Sequence, residues 1–250
     1  MRDSVKMILS GAVLMMASGT NAVAQSSVSK GVGINASRLV FNEGDRVIST
    51  SVNNDSPVNA YLMAVKVMRN LDGSGDVPFI VTPPLFRLEP ESSSGVKIAG
   101  NPAQLAQLPR DRETVFYFQA TGIPSSNPLE RTGSQGFVSG EMKFSLANTI
   151  KLFYRPAGLP LSAEMAIKGL AFTRVPGGVR IKNASPYYVN LLSLKIGGKR
   201  VPLGENRSVT PTGMLPPFSD ATYNTRLLGN AQWSALNDIG GVVDATGDVK

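Results

Sequence analysis

The sequence predicts an all-β chain folded as two β-sandwiches in tandem, and three observations carry that expectation. Short segments with apolar residues at every second position recur along the chain, as pleated strands with one buried face require. Turn-forming clusters separate them at the short spacing of a sandwich, and Gly (25) and Pro (17) are correspondingly frequent. Finally, 250 residues exceed a usual single domain, and one strand–turn pattern occurs in both halves.

At the N-terminus, Arg2 and Lys6 form a positive region, Met7 to Ala17 is largely apolar, and Ala22-Val23-Ala24 is an A-x-A cleavage site. This predicts a secretory signal peptide over 1–24, leaving Gln25 as the first mature residue. The apolar run is shorter than the ~18 residues a membrane span needs. The mature chain is therefore expected to be exported, with no stable membrane insertion.

The first domain is expected over 25–156. Leu39-Val40-Phe41 opens it as an apolar strand, closed by the turn Asn42-Glu43-Gly44-Asp45. Asn53-Asn54-Asp55-Ser56-Pro57 forms the next turn. Tyr61, Met63, Val65 and Val67 then alternate against Leu62, Ala64, Lys66 and Met68, up to the turn Asp72-Gly73-Ser74-Gly75. Thr82-Pro83-Pro84 breaks the chain again, and Val96 and Ile98 flank Lys97. The Ala, Gln and Leu of Asn101 to Leu108 suggest a short helical turn between strands. From Leu108 to Phe118 a charged cluster, Arg110 to Glu113, runs straight into an aromatic strand. Gly140 to Pro156 reads as a long strand with Met142, Phe144 and Leu146 on one face and Glu141, Lys143 and Ser145 on the other. Most such stripes belong to a core, but a long strand that ends a domain is also a natural sheet edge, able to pair with another chain.

Pro156-Ala157-Gly158-Leu159-Pro160 is short and proline-punctuated, the expected stiff hinge before a second domain over 157–250. Leu170-Ala171-Phe172 and Asn183-Ala184-Ser185-Pro186 echo Leu39-Val40-Phe41 and Asn54-Asp55-Ser56-Pro57 of the first half, with the turn Val175-Pro176-Gly177-Gly178 and the pair Val179 and Ile181 around Arg180 between them. Trp233, the one tryptophan, falls near the end of this domain, where a core position is expected rather than a sugar-stacking platform.

Composition excludes much chemistry. With no His and no Cys, the chain has no His-based triad, Cys nucleophile, ordinary zinc site, iron–sulfur cluster or haem His ligand. Ser27-Val28-Ser29-Lys30 matches S-x-x-K by letter but lacks companion motifs, and Gly197-Gly198-Lys199 lacks the spacing of a phosphate loop. No catalytic residue, metal site or cofactor is expected, and the chain is read as not an enzyme. The net charge of +7 is spread without any block of five like charges, so no nucleic-acid partner is expected.

Taken together, Ser37-Arg38-Leu39-Val40-Phe41, Thr82 through Pro90, Leu108 through Phe118, Lys151 through Pro156, Asn183 through Val189 and Leu236-Asn237-Asp238-Ile239-Gly240-Gly241 resemble the PapD-like periplasmic chaperones of the chaperone–usher pilus pathway. The resemblance spans nearly the whole mature chain in family order. It implies two immunoglobulin-like sandwiches in a boomerang, with a cleft that receives a pilus or fimbrial subunit lacking its last strand. It implies that Met142, Phe144 and Leu146 are the donor-strand side chains lent to that subunit. Arg38 and Lys151 match the family pair that anchors the subunit's terminal carboxylate, and Glu113, Arg155 and Asp238 match a triad bridging the two domains. The implied partners are pilus subunits and an outer-membrane usher, with self-capping of the free chaperone as a dimer left open. The chain departs from many relatives in lacking a cysteine pair in the second domain, in Gln119 where Asn is common, and in Ile239 where Tyr is common. The stretch Pro124 to Gly140 looks like the short-loop branch, which mostly serves rod-like pili. An exported two-domain adhesin or carbohydrate-binding protein is the alternative function, and a carboxylate-based hydrolase a third.

Overall fold

The computed structural model describes residues 31–125, 144–204 and 213–250. The first half contains β1 (Val32–Ile34), β2 (Arg38–Asn42), β3 (Val47–Asn54), β4 (Tyr61–Met68), β5 (Phe79–Thr82), β6 (Leu85–Leu88), β7 (Ser92–Gly100), α1 (Pro102–Leu105), β8 (Thr114–Pro124) and β9 (Leu146–Arg155). The second half contains α2 (Ala163–Lys168), β10 (Ala171–Val175), β11 (Gly178–Asn183), β12 (Val189–Ile196), β13 (Lys199–Arg200), β14 (Met214–Leu215), β15 (Ser219–Asn224), β16 (Ala231–Leu236) and β17 (Val242–Gly247).

Alternation decides which face of each strand is buried. In β4, Tyr61, Met63, Val65 and Val67 are buried while Leu62 and Lys66 are exposed, and in β7 Val96 and Ile98 are buried around an exposed Lys97. Two separate cores result. Phe41, Phe116, Phe118, Met63 and Leu152 centre the first, and Leu194, Ile196, Ile181, Tyr223 and Trp233 the second. Trp233 takes the expected core position, stacking on Phe172 at 4.6 Å and donating its indole N–H to the Ile167 carbonyl at 2.9 Å.

Each core lies between two sheets. In the first domain the orders are β1-β3-β7-β5 and β2-β9-β8-β4-β6. Every connection from β1 to β8 crosses between these sheets, including Asn35–Ser37 and the tightest, Pro83-Pro84, where the Thr82–Pro83 bond is cis. A residue with no N–H is tolerated where the ladder is already interrupted. In the second domain the orders are β10-β11-β15 and β13-β12-β16-β17, with β14 beside β12.

The repeated Asn-x-Ser-Pro turn is a shared structural part. Asn54 donates to the carbonyls of Asn59 and Glu89 and accepts from the Ser56 N–H. Asn183 donates to the carbonyls of Tyr187, Leu215 and Pro216 and accepts from the Ser185 N–H. Both asparagines are buried, each tying several backbone carbonyls together. The helical turn expected after Asn101 is α1, capped by the Asn101 side chain on the Ala103 N–H with Pro102 at its first position.

The long strand differs in extent from its sequence reading. Among the described residues it starts at Leu146, so Phe144 precedes it and Met142 lies outside the described residues. It pairs with β8 along nearly its whole length, from Gly122↔Leu146 to Thr114↔Tyr154. On its other side β2 pairs in parallel with Lys151–Arg155 alone, because Leu39 and Phe41 give β2 an apolar face that joins the core beside Leu152 and Tyr154. Edge character is therefore confined to the first half, Leu146–Ile150.

Candidate functional site

Strand β9 has two chemically different faces. Ile150, Leu152 and Tyr154 pack on the first core, while Lys151, Phe153 and Arg155 face the second domain. The parallel register sets Arg38 directly opposite Lys151, so neighbouring strands deliver two cations to one place.

Both cations touch the second domain. Arg38, only 8% exposed, donates from Nη1 to the Leu236 carbonyl at 3.1 Å. Lys151 donates from Nζ to Asn190 Oδ1 at 2.6 Å. Burial lowers the pKa of Arg38, against the attraction of Asp238 and Glu113. Burial, then repulsion from Arg38, brings Lys151 down to about 8. The arrangement gathers positive charge and withholds the water that would stabilise it, which is the electrostatic demand for an anion.

Four residues further along β9, Arg155 bridges the domains. Its Nε donates to Glu113 Oε1 at 2.8 Å, and its Nη1 and Nη2 hold the Asp238 carboxylate bidentately at 2.7 and 2.8 Å. Glu113, 3% exposed, also accepts from the Tyr188 N–H at 2.8 Å, and its own N–H donates to the Pro186 carbonyl at 2.9 Å. Burial pushes the Glu113 carboxyl above the usual carboxylate range, opposed chiefly by Arg155. Arg155 lies above its ordinary value: desolvation opposes its charge, and the hydrogen bonds and charges of Asp238 and Glu113 together outweigh that. Phe153 packs on the Tyr188 ring at 5.5 Å, so apolar contact separates the cation pair from the triad.

The loop carrying Asp238 is built for close approach. Asn237 Oδ1 accepts from the N–H groups of Ile239 and Gly241. Gly240 has φ +83°, and a Cβ there would run into Ser37 Oγ of the first domain, so the position needs glycine on both counts.

The structure thus brings Arg38 and Lys151 together, and Glu113, Arg155 and Asp238 together, as two clusters on one face of β9. Upstream, Leu146 is 43% and Phe144 69% exposed, a large apolar surface on the stripe that continues the core face. Sequence reasoning missed Asn190, the Leu236 carbonyl and the Tyr188 N–H. Asn190 had a signal, since it is a polar residue in the otherwise apolar run Val189 to Leu192. The backbone groups had none.

A family model for the N-terminal domain of the pili and flagellar-assembly chaperone PapD matches residues 31–160, and one for the C-terminal domain of the pili assembly chaperone PapD matches residues 165–247. The chaperone protein FocC of Escherichia coli is 31% identical over 214 residues, spanning 86% of this chain and 88% of its own. The chaperone protein PapD of Escherichia coli is 30% identical over 238 residues, spanning 94% and 90%. Among solved structures, the Salmonella enterica SafB chaperone in complex with SafA pilin aligns with a TM-score of 0.71 and 26% identity over 88% of this chain and 96% of that one. No helix among the described residues is long and apolar enough to cross a membrane. With both domain models matched in order and relatives aligned over most of their length, the chain belongs to the PapD family of periplasmic pilus-assembly chaperones.

Proposed function

We propose that this chain, cleaved after Ala24 and hinged just after Pro156, is an ATP-independent, non-enzymatic chaperone of the periplasm that captures pilus subunits and passes them to an outer-membrane usher. Arg38 and Lys151 bind the subunit's terminal carboxylate. Met142, Phe144 and Leu146 fill its open groove, and Glu113, Arg155 and Asp238 hold the two domains together.

The observation that carries this reading is the position of the cation pair. Arg38 and Lys151 stand where the open segment of β9 ends, so a strand added along Leu146–Ile150 with its chain end at the pair would have one defined register. Large apolar side chains supply the affinity, about 1.5–3 kcal/mol for each one fully buried. The charge-assisted contacts fix position.

Co-expression of the mature chain with the subunit encoded nearest to it, followed by purification, tests the proposal. A one-to-one complex is expected, lost in Arg38→Ala and in Lys151→Ala while both variants stay folded. Undiminished capture by both variants would refute the anchor, and no capture by the parent chain would refute the function.

A further inference from the structure

The two-cation anchor leaves part of the cleft's chemistry unassigned. Asn190, on β12 of the second domain, is 3% exposed. Its Oδ1 accepts from Lys151, and because an ammonium only donates, that bond orients the amide and turns Nδ2 away from the lysine. Among the described residues Asn190 Nδ2 finds no acceptor, and neither does Arg38 Nε. Buried donors nearly always find partners, yet here two, one from each domain, lack them beside a third donor.

A carboxylate has two oxygens and about four lone-pair sites, more than two donors fill. We propose that Asn190 is a third ligand of the captured chain end, donating from Nδ2 to the terminal carboxylate. The chain end is then clamped between domains, Arg38 and Lys151 holding it from one side and Asn190 from the other. This rests on the anchor reading above and adds a specificity element to it, because a neutral chain end leaves buried donors unmatched on both sides.

The test uses a synthetic peptide matching the last dozen or so residues of the neighbouring subunit, made as the free acid and as the C-terminal amide, titrated calorimetrically into the mature chain at pH 7. The parent chain is expected to prefer the acid by at least roughly tenfold. Asn190→Ala should weaken acid binding by roughly tenfold and leave amide binding unchanged. Asn190→Asp, nearly isosteric, sets a fixed carboxylate against Lys151 and should weaken acid binding further. Asn190→Thr, which keeps a donor, should restore part of the preference, and it carries the measurement if Asn190→Ala does not fold. Equal losses for acid and amide in Asn190→Ala, or no loss for either, would overturn the role of Asn190. Equal affinity of the parent chain for acid and amide would instead overturn the anchor itself.

Discussion

At Lys151 a single proton links fold, charge and binding. Burial and Arg38 bring its pKa to about 8, below the ordinary 10.5 of the unfolded chain. The free fold is therefore burdened by the ammonium at neutral pH, and its stability rises as pH passes from about 8 toward 10.5, where the folded chain has lost a proton that the unfolded one keeps. A carboxylate beside the ammonium acts oppositely, raising the bound pKa. Affinity for a subunit should be level below about pH 8 and fall as pH rises through it, with one proton taken up per complex. Titrations from pH 6 to 9.5 check this; a flat profile would refute it, and Lys151→Arg should move the fall out of range because guanidinium stays charged. Arg38 and Lys151 were legible only through the motifs around them, since a lone cation on a strand ordinarily reads as surface. Asn190 showed in the sequence only as a polar residue in an apolar run, because what marks its role is an unmatched amide proton, and sequence records residue types but not which hydrogen bonds go unmade.

Within β9 the apolar stripe runs on past the core it helps to seal. Ile150, Leu152 and Tyr154 seal the chain's own sandwich, and Leu146 continues the same face beyond it. Leu146→Asp should change thermal stability little, within about 0.5 kcal/mol, because the side chain is already partly in water. It should weaken subunit capture by roughly tenfold or more, since the lost transfer free energy of a buried leucine has that size. Ala147→Asp, on the opposite exposed face, should do neither, and comparable losses from the two substitutions would show that the faces are misassigned. Alternation made most strands legible, including β4, β7 and β11, because a two-residue period is a direct image of one buried face. The change of partner along β9 was not legible. It depends on β2 leaving one sheet for the other at Asn35–Ser37, which is set by what packs across the sandwich rather than by local pattern.

At the scale of the molecule, two cores share no side chains and are joined through polar contacts around Arg155. Removing Glu113 leaves Arg155 with Asp238 alone and the Tyr188 N–H without its acceptor, and losing a partner from a buried charged network costs about 3–5 kcal/mol. Glu113→Ala should therefore lower the melting midpoint by on the order of 10 °C. Asp238→Ala should cost less, about 1–2 kcal/mol, because that carboxylate is 40% exposed and water replaces part of what is lost. Calorimetry on both variants checks the order; a larger loss from Asp238 would mean that burial does not govern the junction. The two-domain plan was legible in length and in the repeated Asn-x-Ser-Pro turn, and the junction only as a family triad, since residues so distant in sequence meet through the fold. The parallel seat of β2 against β9 has one more consequence. From Lys151 onward the lane beside β9 is occupied, and Arg38 stands at the head of the occupying strand, so an incoming strand runs on the same track and meets an end stop. The open stretch Leu146–Ile150 measures about 17 Å at ~3.3 Å per residue. If the client chain end sits at Arg38 and Lys151 as proposed, the chaperone would gauge where a client chain stops as well as what it contains, and a client lengthened at its C-terminus by a few residues should overrun the buffer and lose its seat.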